Sequence, residues 1–426
     1  MSDTWPTRKL RELAEIRISN VDKKTIPGEK PVMLCNYMDV YSNEYVTGCL
    51  PFMEASATAA ELERFGLNKG DVIISKDSET PDDIGIPAVI AEQIDNLVCG
   101  YHLALIRPNA DQVDSIYLAK QLSTARVTRY FALHASGSTR YGLPISTIES
   151  VEIPTPPKPE QTKIAEILST VDRAIEQTEA LIAKQQRIKT GLMQDLLTRG
   201  IDEHGNLRSE QTHKFKDSPL GRIPVEWKIA HLGDVSEISS GITLGKIYNG
   251  PETVELPYLR VANVQDGYLD LSSVNVIRIP KSQVEKYVLR VGDVLMNEGG
   301  DFDKLGRGSV WKGAIRDCLH QNHVFKVRPK PGVLTSDYLG AVSSSPYGKA
   351  FFVLASKQST NLASINSTQL KSFPIPLPSY NEQLRIESVF SKETETYRFS
   401  ENKLLKLCFL KTALMQDLLT GKKRVT

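Results

Sequence analysis

Catalysis needs functional groups gathered at fixed spacing, and the polar loops of this chain are where such groups concentrate. Two of them are ISKDSETPDDIG at 74–85 and MNEGGDFDKLGRG at 296–308. A nuclease would cluster carboxylates and a lysine around a divalent metal. In the run from Asp293 to Glu298-Gly299-Gly300, however, glycine stands where an ExK pattern would place the lysine. A base methyltransferase needs a glycine-rich cofactor loop and an NPPY- or DPPY-like turn to hold a flipped base. Leu305-Gly306-Arg307-Gly308 supplies only a lone GxG, and neither such a turn nor a Walker lysine loop occurs in the chain. The five cysteines, Cys35, Cys49, Cys99, Cys318 and Cys408, are odd in number and lack CxxC spacing. They indicate neither a disulfide framework nor a zinc site, and a reducing cytoplasm is the expected location. No catalytic residue, metal or cofactor is therefore expected on this chain.

What the loops do offer is recognition chemistry. Lys, Arg, Asn, Gln, Ser and Thr donate and accept at base edges and phosphates. The residues singled out on that ground in the first half are Lys76, Ser78, Thr139, Arg140 and Tyr141. In the second half they are Thr243, Lys246, Arg260, Asn263, Asn297, Lys304, Arg307, Lys357 and Gln358. Beside this reading stands the plainer one, that any single residue among them belongs to an ordinary solvated loop.

The elements that must position these loops are spelled twice. GLMQDLLTRG at 191–200 returns as ALMQDLLTGK at 413–422, an offset of 222. At the same offset Glu160-Gln161 meets Glu382-Gln383, Ile153-Pro154 meets Ile375-Pro376, Trp5 meets Trp227, and Gly70-Asp71-Val72 meets Gly292-Asp293-Val294. One deletion later the offset is 221, aligning His102 with His323, Arg107-Pro108 with Arg328-Pro329, and Tyr117-Leu118 with Tyr338-Leu339. The whole chain is thus a tandem duplication. Residues identical in both copies are candidates for scaffold, or for facing something common to both. His102 and His323 read first as core or strand-capping histidines, and Trp5 and Trp227 as packing anchors. Loops that differ between two like scaffolds suggest two recognition modules with different targets.

Each copy holds a globular head followed by a helical arm. The heads, 1–152 and 223–374, read as mixed α/β, with strands expected at 71–75, 102–106, 293–296 and 323–327 and helix over 117–133 and 338–354. Between the copies, 201–222 is a polar, turn-rich linker that leads to Trp227. The arms occupy 153–200 and 375–426 and open on proline-rich entries, IPTPPKP and IPLPSYN. From Glu160 to Leu197 there is no proline, and apolar residues recur at three- and four-residue steps; Glu382 to Leu419 behaves alike. Each arm would be roughly 57 Å long at about 1.5 Å per residue. Such stripes must be covered, either by a second chain in a dimer or by the other arm; equal lengths favour the second, as an antiparallel pair with pseudo-two-fold symmetry. The expected fold is α+β, with two heads in tandem and a coiled coil of two arms.

A chain of 426 residues with 40% hydrophobic and 24% charged content accommodates this as a globular protein. No apolar run approaches the ~20 residues of a membrane span, and MSDTWPTRKL lacks a signal-peptide core. The net charge of +1 leaves nucleic acid open, since basic residues can gather on one face.

The chain resembles the specificity (S) subunits of type I restriction–modification systems. The resemblance spans essentially the whole length and rests on the repeated IPxPxxxEQ entry, the LMQDLLT helix ends, the SPLGRIPxxW linker and the head–arm–head–arm order. It implies two target recognition domains, each reading one half of a bipartite DNA sequence. It also implies that the arms bind two copies of an adenine methyltransferase subunit carrying S-adenosylmethionine, and that a restriction and translocase subunit joins them. Because the head loops differ, an asymmetric target is expected. Gln194-Asp195 and Gln416-Asp417 are candidates for the twice-presented docking surface, while the leucines beside them fit that surface or the arm seam equally. Two other roles stay open: an S-like subunit of a type II system, and a coiled-coil scaffold whose heads bind peptides.

Overall fold

A computed structural model describes residues 5–218, 221–300, 305–306, 308–358 and 363–425. The chain divides into two compact units, Met1–Ala180 with Glu401–Thr426, and Leu181–Ser400.

In the first unit the central sheet runs in the order Ala14–Ile18, Leu103–Pro108, Val72–Ser75, Pro87–Ile90, Tyr45–Val46. Its neighbours are antiparallel except for the last pair. The two strands expected from sequence form its middle, and their apolar runs, Val72–Ile74 and Leu103–Ile106, are unbroken because both faces are covered. Val72, Ile74, Ala104 and Ile106 face the helices and arms, whereas Ile73, Leu103 and Leu105 face a second sheet of Met53–Ala57, Lys30–Cys35 and Leu97–Cys99. The second unit repeats the design. Ser236–Ser239, Val324–Pro329, Val294–Asn297 and Gly308–Val310 form its sheet, with Asn275–Pro280, Thr253–Leu259 and Leu319–His320 as the companion. Val294, Met296, Phe325 and Val327 face one core, and Leu295 and Val324 the other.

The expected helices over 117–133 and 338–354 are each two helices, Ser115–Leu122 with Ala125–His134 and Ser336–Ser344 with Pro346–Ala355. In the second head the break is chemical: Ser345 caps Gly348 and Pro346 has no amide proton to continue the preceding helix. The buried tyrosines Tyr117 and Tyr338 each donate a hydroxyl to a carbonyl of the arm entry, Pro154 and Pro376, at 3.0 Å. Short antiparallel pairs, Thr7–Lys9 with Glu152–Pro154 and Lys228–His231 with Pro374–Leu377, set the start of each head beside its exit.

The arms are single helices, Lys158–Thr198 and Tyr380–Leu418. The first begins earlier than the prolines suggested: Pro159 lies in the first turn, where no intrahelical amide bond is required of it. Within each unit the start of one arm runs against the end of the other, so the pairing is antiparallel. In the first unit Ile164, Ala165 and Leu168 share a core with Leu418 and Leu419. In the second, Leu196 and Leu197 share one with Ile386 and Val389. The repeated leucines thus belong to the packed interior.

Duplicated polar residues fasten each arm to its head. Gln161 accepts from the Asp114 amide at 3.0 Å and donates to the carbonyls of Gln112 and Pro156. Gln383 does the same with Thr335, Val333 and Pro378. Glu160 receives Arg424 through two bonds, at 2.7 and 2.8 Å. Glu382 receives Arg208 and the Trp227 indole. The linker is not purely coil, since Phe215–Ser218 pairs with Gly221–Pro224 as a hairpin.

Candidate nucleic-acid interface

The loops that differ between the heads are anchored alike at both ends. In the first head a bidentate pair, Arg107 Nε and Nη2 on Asp71 at 2.9 and 2.7 Å, holds the strand entering the loop. Arg328 and Asp293 repeat it at 2.7 and 2.8 Å. Asp71 and Asp293 are 2% and 1% exposed, so both aspartates form part of the core. At the far end the chain returns through Gly85 and Gly306, whose amides donate to Ser75 and Asn297 carbonyls. Both glycines have positive φ, +78° and +62°, and a Cβ on either would overlap the ring of Phe131 or Phe352. Only glycine allows so close a ring with that backbone.

Each of these loops is joined to the second variable loop of its own head. In the first head Asp77–Ser78 pairs antiparallel with Tyr141–Gly142. Ser136 and Gly142 exchange two backbone bonds of 2.9 Å and close a hairpin with Thr139 and Arg140 exposed near its tip. In the second head Gly299–Gly300 pairs with Ala363–Ser364, which pairs in turn with Lys357–Gln358. Two segments far apart in sequence thus become one ribbon per head, on matching supports.

The candidate residues separate by burial. Thr139, Arg140, Thr243, Lys246 and Lys357 are exposed, and Ser78 and Tyr141 are half-buried in the ribbon. Lys76 is largely covered; its Nζ lies 2.5 Å from Asp77 and 5.0 Å from the Tyr101 ring centre. Arg260 is half-buried, with Nη2 on the Ser273 carbonyl at 3.4 Å. Asn263 and Asn297, 3% and 1% exposed, face inward. Asn263 donates to the Asp270 and Ser273 carbonyls and Asn297 to that of Val264, so both amides hold loops together. Gln358 contributes its backbone to the ribbon. Lys304 and Arg307 lie outside the described residues.

His102 and His323 stand at the starts of matching strands, and neither is a core residue: their side chains are 36% and 56% exposed. His102 Nδ1 is 2.9 Å from Asp77 and His323 Nδ1 is 2.7 Å from Glu298. The histidines repeat but their carboxylates do not share a register: Glu298 is the counterpart of Lys76, and Asp77 lies one residue on, so the sequence repeat carried no signal for this pair. The buried histidine is His320, whose Nδ1 is 2.7 Å from the Val324 carbonyl and which burial pushes down to about 4.

At the repeated helix ends, Gln194 and Gln416 are exposed. Gln194 and Asp195 line a cleft of about 420 Å³ with Thr198, Arg199, Glu210, Phe215 and Arg222. Asp417 is held by Lys422 and Lys423, each at 3.2 Å. Among the described residues no His, Cys, Asp and Glu group is arranged to hold a metal ion. No helix among them is long and apolar enough to cross a membrane.

Two mixed α/β heads, each with a loop ribbon on a repeated support and an arm that pairs antiparallel, define a tandem recognition protein. The sequence matches the type I restriction modification DNA specificity domain over residues 2–185 and again over 224–407, and the chain belongs to that family as a specificity subunit. It is 24% identical over 420 residues to the type I restriction enzyme MjaVIII specificity subunit of Methanocaldococcus jannaschii, covering 94% of this chain and 91% of that one. The S subunit of the type I restriction–modification system of M. genitalium shares its fold with a TM-score of 0.58 at 16% identity, over 98% of this chain and 97% of that one. A chain from a structure on complex assembly and conformational transition of the type I R-M system gives 0.55 at 18%, over 99% of each.

Proposed function

We propose that this specificity subunit reads a bipartite, asymmetric DNA target, one half per head, through the two loop ribbons, and is itself non-catalytic. One observation carries the reading: in both heads the segments that differ between the copies are brought together on supports that do not differ. Arg140 and Thr139 in the first head, and Lys357 with Thr243 and Lys246 in the second, are the exposed side chains with the chemistry to read base edges or hold phosphates. Buried Asn263 and Asn297 serve the loops that carry them.

The reading extends to the assembly. Two copies of an adenine methyltransferase subunit, each with its own S-adenosylmethionine, dock on the duplicated arm ends, and a restriction and translocase subunit completes the complex in the cytoplasm. Gln194 and Gln416 support this, being exposed at matching positions while the adjoining leucines are buried. The cleft at Asp195 and the lysine-bound Asp417 make the two docking positions alike in sequence and different in surroundings.

The test is a methylome. The chain is expressed with its neighbouring methyltransferase gene in an unmodified host and modified adenines are mapped by long-read sequencing. A split motif with two different halves is expected. A blank map from soluble, associated proteins would leave a scaffold role in its place.

A further inference from the structure

The two His–carboxylate pairs do not enter the reading above, yet they sit at the root of the ribbons. In each head the histidine carbonyl accepts from the loop strand, Lys76 N to His102 O at 2.9 Å and Glu298 N to His323 O at 3.0 Å. The same strand residue then accepts from the returning loop, Leu143 N to Lys76 O and Ile365 N to Glu298 O, both at 2.8 Å. The histidine is therefore locked to both ribbon segments by the backbone. Its ring is fixed by a carboxylate on Nδ1, and the side chain is partly exposed, which leaves Nε2 as the nitrogen not engaged by that carboxylate. Among the described residues no hydrogen bond reaches Nε2 of His102, and Nε2 of His323 has only a 3.5 Å contact with Asn322.

Position, exposure and identity point the same way. Base-reading residues must differ between heads that read different halves. A residue that is identical in both heads, outward-facing and rooted in the reading ribbon meets what the half-sites share, and that is the sugar–phosphate backbone. We infer that His102 and His323 are paired phosphate contacts that set each ribbon on the duplex, a role resting on the DNA-reading function proposed above. In the imidazolium form Nε2–H donates to a phosphate oxygen, and the carboxylate behind it orients the ring and balances its charge. In the first head Lys76 shares the Asp77 oxygen, which limits the repulsion between that carboxylate and DNA.

The experiment uses the full chain in complex with its methyltransferase. Binding to a labelled duplex of arbitrary sequence, and to one carrying the mapped target, is titrated over a range of salt. His102→Ala and His323→Ala should each weaken both duplexes alike, roughly 3- to 10-fold, the size of one charge-assisted bond at a partly exposed site. Each should also reduce the salt slope by about one. His102→Gln and His323→Gln, which retain a polar side chain of similar reach, should keep the melting temperature and still lose the slope contribution. An unchanged slope with a lowered melting temperature would reduce the pair to a strand clasp. A loss confined to the target duplex would make it a base contact, and either result overturns the inference. If the unaltered complex bound neither duplex, the DNA-reading function itself would fall.

Discussion

At the scale of single residues, the reading surface depends on groups that never reach it. A methyl at Gly85 or Gly306 meets the Phe131 or Phe352 ring, and the left-handed backbone resists any side chain. Gly85→Ala and Gly306→Ala should each cost about 1–3 kcal/mol from strain alone, read as a lower urea midpoint, with DNA selectivity impaired in the altered head. Asp71→Asn removes the charge that Arg107 faces from a position 28% exposed. The expected loss is on the order of 2 kcal/mol, less than for a fully buried pair because Arg107 keeps some water; denaturant unfolding checks it. Residue type was legible in the sequence and burial was not. Asn263 and Asn297 have the chemistry of base readers, but each lies next to a strand or turn whose carbonyls take its amide. His102 and His323 read as core or strand-capping histidines; both do stand at strand starts, while the carboxylate that meets each ring comes from the variable loop and not from their own strand.

At the scale of elements, the arms were the most legible part. Their periodicity and constant offset indicate two helices of matching length, and each helix starts two residues earlier than the periodicity marks, at Lys158 and Tyr380. Short strands such as Asp77–Ser78 and Tyr141–Gly142 were not legible, since a two-residue strand has no periodicity and exists only through its partner. The polar cluster that fastens the arms to the first head was hidden for the same reason. Asp172 of one arm lies 2.6 Å from Lys120 of the head and 2.8 Å from Lys411 of the other arm, and it accepts from Tyr45 at 2.7 Å. Burial alone would raise the Asp172 carboxyl, but these partners outweigh it and hold it below the ordinary value. Arg424 holds Glu160 down likewise. Depressed carboxyls stabilise the fold above their unfolded values and lose that contribution as pH falls through the folded ones. Unfolding followed from pH 7 downward should therefore show stability falling once the pH drops below about 4. Asp172→Asn should flatten that limb while lowering stability at neutral pH by on the order of 2 kcal/mol. An unchanged acid limb in that variant would show that the cluster does not act through Asp172.

At the scale of the whole molecule, duplication explains why so much could be read from one sequence. The two copies share their supports and differ in their loops, and in each head two of the differing loops meet in one ribbon. It also gives the arm ends a common logic. Glu160 clasps residues that follow the second arm, and Glu382 clasps residues that follow the first. On the proposed function the ribbons carry sequence choice, and Thr243 and Lys246, which lie outside them, hold phosphates. The most direct measurement transplants residues 296–308 and 355–364 of the second head onto 74–85 and 134–144 of the first, and maps the methylome of the resulting complex. Since the supports match, the first half of the motif should change to the second head's bases while the second half stays as it was. A folded, methylating chimera that kept the original motif would contradict it and place recognition elsewhere in the heads.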